Sequence, residues 1–179
     1  RMLHAKVLFS PVAHAKIRSI DTSEAEKLPG VHAVVCYKDA PEALFNSCGE
    51  EIDGAKTERI FDDHVRYVGD KVAAVAADTV KIAEQALKLI KVEYEELPFY
   101  LSPEEALGEG AYPIHGQSNV IEEVTQTAGD VDRGMAEADR IYEDEFETPA
   151  IHHGAIETHA SLSVYESSGK LTVYTPSQD

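Results

Sequence analysis

VRYVGDKVAAVAADTVKIAEQALKLIKVEYEEL, residues 65–97, decides the fold. Its first half, as far as Asp78, reads as two strands joined at Gly69-Asp70, although G-D is a weaker hairpin signal than N-G or D-G. Asp78 is then expected to cap a helix from Thr79 to Ile90. There Val80, Ala83, Leu87 and Ile90 recur at helical spacing, while Lys81, Glu84 and Lys88 cover the other side. KVEYEEL, from Lys91, alternates as an edge-like strand. A helix carried between strands indicates an α/β or α+β layer structure.

Upstream, His4 to Ser10 has the β-formers for a strand, and Pro11 ends it. Asp21 precedes Thr22-Ser23-Glu24, an N-cap pattern that opens a short helix stopped by Leu28-Pro29-Gly30. Val31 to Tyr37 (VHAVVCY) reads as a buried strand, Val-rich and too short for an independent helix. Residues 38–64 carry Pro41, Gly49, Gly54 and scattered acids without a period, and read as a long excursion.

Downstream, Ser102-Pro103-Glu104-Glu105 forms a capping box with proline at the first helical position, and Gly108 closes that helix. Residues 108–128 are rich in turn formers and read as a linker. Asp130 can cap a helix through Ala138. In the strand expected after it, Glu143, Glu145 and Glu147 face one way, and Tyr142, Asp144 and Phe146 the other. Glu157 to Glu166 and Lys170 to Thr175 are two further β-rich runs, joined as a hairpin by Ser168-Gly169.

The chain has 179 residues, enough for a real core, with 43% hydrophobic and 27% charged residues. Asp and Glu number 33 against 16 Lys and Arg, a formal charge of −17. That field repels a phosphate backbone and an anionic membrane surface, so no nucleic-acid or membrane partner is expected. Cys36 and Cys48 are too few for a disulfide framework or a CxxC metal site, and Cys36 reads as a small buried hydrophobe. No signal peptide and no bilayer-long apolar run is evident, so a cytoplasmic setting is the expectation. The chain opens on Arg1 and stops directly after a strand-like run, so it is expected to be a piece of something longer.

Chemistry concentrates in one place. His152, His153, Glu157 and His159 form a dense cluster of metal-ligating and acid–base groups in IHHGAIETH. Zinc needs three or four converging ligands, and adjacent side chains on extended backbone point to opposite faces, so His152 and His153 do not suit one metal. The cluster reads instead as hydrogen-bonded histidines at a buried turn, with no metal site. The acid run at Glu143, Asp144, Glu145 and Glu147 could pair carboxylates for glycoside hydrolysis, but a solvated strand face explains it more simply. Ser161 and Ser163 lack a nucleophile elbow, and no GxGxxG or P-loop occurs. Two other readings stay open: a non-enzymatic acidic interaction module, and a small metal-dependent hydrolase using His152, His153, Glu157 and His159.

Several segments taken together resemble the large, molybdenum-binding subunit of the xanthine dehydrogenase and aldehyde oxidase family. They are Ser10-Pro11-Val12-Ala13-His14-Ala15-Lys16-Ile17, then Leu28-Pro29-Gly30-Val31, the stretch from Val65 to Pro98, and Gly129 through Val164. They follow the family's order and span nearly the whole chain. The resemblance implies residues 1–107 as a hammerhead-type α/β domain, 108–128 as a linker, and 129–179 as the first helix and strands of a molybdopterin-binding domain. It implies an oxidoreductase that hydroxylates a purine, another N-heterocycle or an aldehyde with oxygen from water. A glutamate would deprotonate a molybdenum-bound hydroxyl, and hydride would pass to a sulfido ligand. Electrons would leave through 2Fe-2S clusters and FAD on partner domains or subunits of an oligomeric enzyme.

The resemblance also sets limits. The family's glycine-rich cofactor loop, orienting arginine and catalytic glutamate come later in sequence than Asp179, so no residue here is expected to be catalytic and the chain is expected to be inactive alone. His152 and His153 are implied as a turn near the cofactor. Xanthine-oxidising members tend to have a glutamine where Ile151 stands, which weakens a xanthine assignment specifically or means that the glutamine's contact is made differently in this member.

Overall fold

In the computed structural model of the chain, residues 2–45, 56, 58–120 and 123–176 are described. The chain divides into two units, Arg1–Glu123 and Val124–Asp179. The first is a mixed α/β unit with two three-stranded antiparallel sheets. One sheet has the order β1 (His4–Phe9), β5 (Lys71–Ala77), β3 (Val31–Cys36); the other has β4 (His64–Val65), β2 (Ala15–Asp21), β6 (Lys91–Glu96).

Val65 and Lys71 therefore do not begin the two arms of a hairpin. β4 pairs with β2 and β5 pairs with β1 and β3, so the chain changes sheets at Tyr67–Asp70. The turn is fixed by backbone bonds to the end of β1: Ser10 N–H donates to Asp70 O at 2.8 Å, and Gly69 N–H to Ser10 O at 2.9 Å. Gly69 has φ +98°, a conformation that glycine adopts without cost. A local turn signal cannot reveal which strands its arms join.

β5 is central, and Val72, Ala73, Val75 and Ala77 are all buried on it. Its run of alanines suits a strand covered on both faces, because the helix α2 (Val80–Leu87) packs on β1 and β5 through the buried Ala83 and Ala86. The cap of α2 is Thr79, whose side chain accepts the Ile82 N–H at 3.2 Å. Asp78, expected as the cap, instead receives His32 Nε2 at 2.7 Å. The helix ends at Leu87 rather than Ile90, and Ile90 is buried beyond it.

β2 was not evident in the sequence, where Ala15–Asp21 (AKIRSID) shows only partial alternation. It buries Ala15, Ile17 and Ile20 and lies between β4 and β6. β6 is an edge strand, as its alternating pattern indicated, and its glutamates discourage pairing with another chain. The helix α1 (Ser23–Glu26) forms where expected, but Thr22 makes no side-chain capping bond; Asp21 Oδ1 accepts the Ser23 N–H at 3.0 Å. The helix α3 (Pro103–Ala106) has the expected cap, Ser102 accepting Glu105 N–H at 3.2 Å. Of the excursion 38–64, residues 46–55 and 57, including Cys48, lie outside the described residues.

The second unit contains α4 (Val131–Glu137), capped by Asp130 as expected, and the hairpin β7 (Leu162–Tyr165) and β8 (Leu171–Tyr174) around Ser168-Gly169. The strand expected over Tyr142–Glu147 does not form, and those residues are exposed without regular structure. A strand needs a neighbour for its backbone bonds, and no described segment pairs with this one. Among the described residues of this unit none is buried.

Candidate functional site

The turn singled out in the sequence lies open. Ile151, His152, His153, Glu157 and His159 are all exposed, against the expectation of a buried turn. His152 Nδ1 accepts the Gly154 N–H at 2.9 Å, and Gly154 has φ +66°. That bond is local and orients one imidazole only. Among the described residues no group of three His, Cys, Asp or Glu side chains is gathered to hold a metal ion, so the geometry lends the small-hydrolase reading no support.

These residues likewise make no cradle for an organic cofactor. A pterin site needs concave, largely apolar walls with a few fixed polar groups. Between residues 124 and 176 no described side chain is buried, and Ile151 and Ile156 stand in solvent, 86% and 100% exposed. The residues present do not by themselves fit molybdopterin.

The structure builds its polar centre elsewhere, in the first unit. His14, just before β2, is 1% exposed and uses both ring nitrogens. Its Nδ1 bonds to Pro98 O, and its Nε2 faces His64 Nε2 at 2.7 Å. Because a carbonyl only accepts, Nδ1 of His14 carries the hydrogen. In the neutral ring Nε2 of His14 then accepts, and His64 Nε2–H donates. The two rings are 4.8 Å apart, and the Tyr112 ring meets His14 edge-on at 5.4 Å.

Burial first, then the Arg66 and Lys16 charges, pushes the His64 imidazole down to about 4. Arg66 bonds to Asp62 at 2.9 Å, to His64 O at 3.0 Å and to Ile114 O at 3.4 Å. Burial pushes the Asp62 carboxyl up, but hydrogen bonds with Arg66 and Asp63 and the Arg66 and Arg59 charges together hold it below its usual value. His115 is also held below its ordinary value, by burial and then by Arg66, and its Nδ1 is buried without a hydrogen-bond partner among the described residues.

No sequence signal announces this cluster, because His14, His64 and His115 lie about fifty residues apart in separate segments. His14 bonds to a carbonyl and to His64, and His115 stands beside them with Nδ1 unpartnered among the described residues. The cluster's chemistry is that of a polar joint between β2, β4 and the segment from Pro98 to His115.

Residues 1–98 match the family model for the aldehyde oxidase and xanthine dehydrogenase a/b hammerhead domain, and residues 114–179 match the one for the molybdopterin cofactor-binding domain. A xanthine dehydrogenase molybdenum-binding subunit of Escherichia coli is 35% identical over 183 residues, covering 99% of this chain and 24% of that protein. The nicotinate dehydrogenase large molybdopterin subunit of Eubacterium barkeri is 38% identical over 178 residues, covering 99% of this chain and 41% of the relative. Among solved structures, the aldehyde oxidoreductase of Desulfovibrio gigas superposes with a TM-score of 0.86 at 32% identity, over 98% of this chain and 20% of that one. The chain thus spans less than half the length of each of these relatives.

Proposed function

The chain belongs to the aldehyde oxidase and xanthine dehydrogenase family, and from that premise we propose that it forms part of the large subunit of a molybdenum hydroxylase. The enzyme would hydroxylate an N-heterocycle, a purine or an aldehyde with oxygen from water, and this portion would be inactive alone. The observation that carries the reading is the order of the two matches: hammerhead domain over residues 1–98, molybdopterin-binding domain over 114–179, within a chain that relatives cover at 99%. The domain limits that follow are 1–107 for the hammerhead, 108–128 for the linker and 129–179 for the opening of the second domain. An acidic interaction module without enzyme chemistry would account for the charge of −17 but not for that order.

His152 and His153 are proposed to stand near the cofactor on a turn that other parts of the domain cover. What supports this is that the turn lies within residues 114–179, which match the molybdopterin cofactor-binding domain. The cofactor would supply the oxygen transfer and accept the electrons. Molybdopterin would be held in the full-length protein, with FAD and 2Fe-2S clusters on partner domains or subunits. No helix among the described residues is long and apolar enough to cross a membrane, which is compatible with a cytoplasmic enzyme. Ile151 weakens a xanthine assignment specifically, or means that the glutamine's contact is made by another residue.

The reading frame around this sequence tests the proposal. A frame that runs several hundred residues past Asp179, with a glycine-rich loop and a late glutamate, is the expected result. Its product, purified with its partner subunits, should contain molybdenum and oxidise a heterocycle or an aldehyde. A stop codon directly after Asp179 sinks the reading.

A further inference from the structure

Residues 97–115 cross from β6 over the end of the β4–β2–β6 sheet, and α3 is the one helix within them. Leu97 N–H donates to His14 O at 2.8 Å, His14 Nδ1–H donates to Pro98 O, and Arg66 Nε donates to Ile114 O at 3.4 Å. The ring of Tyr112 rests on His14, and the segment is braced internally by Tyr112 N–H on Tyr100 Oη at 2.6 Å. We propose that the His14–His64 imidazole pair is a proton-operated latch that fixes residues 97–115 against the sheet and releases them in acid.

The proton count sets how it works. The neutral pair shares one hydrogen between the two Nε2 atoms at 2.7 Å. One added proton leaves that bond in place and puts a charge in a buried site. Released His64 binds that proton more readily than latched His64, which burial and then Arg66 and Lys16 hold down to about 4, so acid favours release. On release His14 leaves Pro98 O and His64, and Tyr112 loses its support.

Groups on every side act on the latch. Lys16 on β2, 3.9 Å from Asp63, and Arg66 after β4, bonded to Asp62, resist its charging. From the crossing segment come Tyr112 and His115, and Glu58 and Asp70 act on His115. On β6, Glu96 stands opposite Ala15, and Glu95 pairs with Arg18 at 2.7 Å. The β1–β5–β3 sheet has its own ladder and the buried Val72 and Val75, so it can outlast the latch.

Hydrogen exchange on the full chain, corrected for intrinsic rates, tests this between pH 7 and pH 4. Peptides within 98–115 should lose protection at least tenfold and regain it on neutralisation, while 71–77 keep theirs. In His64→Gln, whose amide donates to His14 but takes up no proton, the acid loss should vanish or move to lower pH. Lys16→Gln, a surface change, should shrink the loss, because without that charge latched His64 takes up the proton more readily. Equal loss in wild type and in both variants overturns the latch. So does no loss in the wild type, or simultaneous loss at 71–77.

Discussion

His14 and His64 meet Nε2 to Nε2 at 2.7 Å, although 50 residues separate them in sequence. Only one of the two nitrogens can hold the shared hydrogen, so each ring fixes the other's tautomer. Pro98 O settles which is which, by requiring the hydrogen on Nδ1 of His14.

His14→Phe keeps an aromatic body but leaves Pro98 O and His64 Nε2 without their partner. Stranding buried polar groups costs about 1–3 kcal/mol each. A loss of roughly 2–4 kcal/mol is expected on that scale, read as a lower urea midpoint with an unchanged slope. An unchanged midpoint would mean the joint adds nothing to stability.

His64 gives the first unit a pH dependence whose sign can be worked out. Its folded value is about 4 against 6.5 when free, so the unfolded chain binds the extra proton between those limits. Its contribution is present in full above pH 6.5, falls as the pH drops toward 4, and levels off below. Urea unfolding of wild type and His64→Gln across pH 4 to 8 should differ in slope only in that window. Parallel curves there would contradict the assignment.

Gly30 and Gly69 separate crowding from backbone strain. Both have positive φ, +89° and +98°. A Cβ at Gly30 would come within 2.8 Å of Ile82 Cδ1, whereas one at Gly69 would meet nothing within 4 Å. Gly69→Ala should cost about 1 kcal/mol from backbone conformation alone. Gly30→Ala should cost more, about 2–3 kcal/mol, because Ile82 must shift as well. The ranking is checked by thermal unfolding, and a Gly69→Ala loss equal to or above that of Gly30→Ala would refute it.

Thr79→Ala tests which residue starts α2. Loss of its bond to Ile82 N–H should cost about 1 kcal/mol, the usual value of an N-cap. Circular dichroism during urea titration would report it, and a stability equal to wild type would show that the cap is dispensable.

The second unit should behave as an uncovered surface in this chain. Leu162, Val164 and Tyr174 share one face of its hairpin, and Tyr165, Leu171 and Val173 the other, all well exposed. A hairpin alone is marginal in water. Amides of β7 and β8 should exchange far faster than those of β5, and Phe146→Asp, at an 88% exposed position, should change stability by less than about 0.5 kcal/mol. Slow exchange in β7 would mean that something buries it.

Helices with caps and periodic faces could be read from the chain, as with Ser102 before α3, Asp130 before α4 and the apolar stripe of α2. So could the β7–β8 hairpin, whose turn residues and strand pattern are adjacent in sequence. These are local properties, fixed by spacing within ten residues or so. The turn at His152 and His153 was legible as a cluster but not as an exposed one, because exposure depends on what lies over it.

Sequence by itself thus determined the capped helices, the β7–β8 hairpin, the family resemblance and a net charge of −17. Tertiary structure alone decided that β4 and β5 belong to different sheets, and that AKIRSID is the middle strand of one of them. It also brought His14, His64, Tyr112 and His115 together. Strand partnership and side-chain encounter depend on contacts between distant residues, and no local pattern of hydrophobicity or turn chemistry records which distant segment a residue will meet.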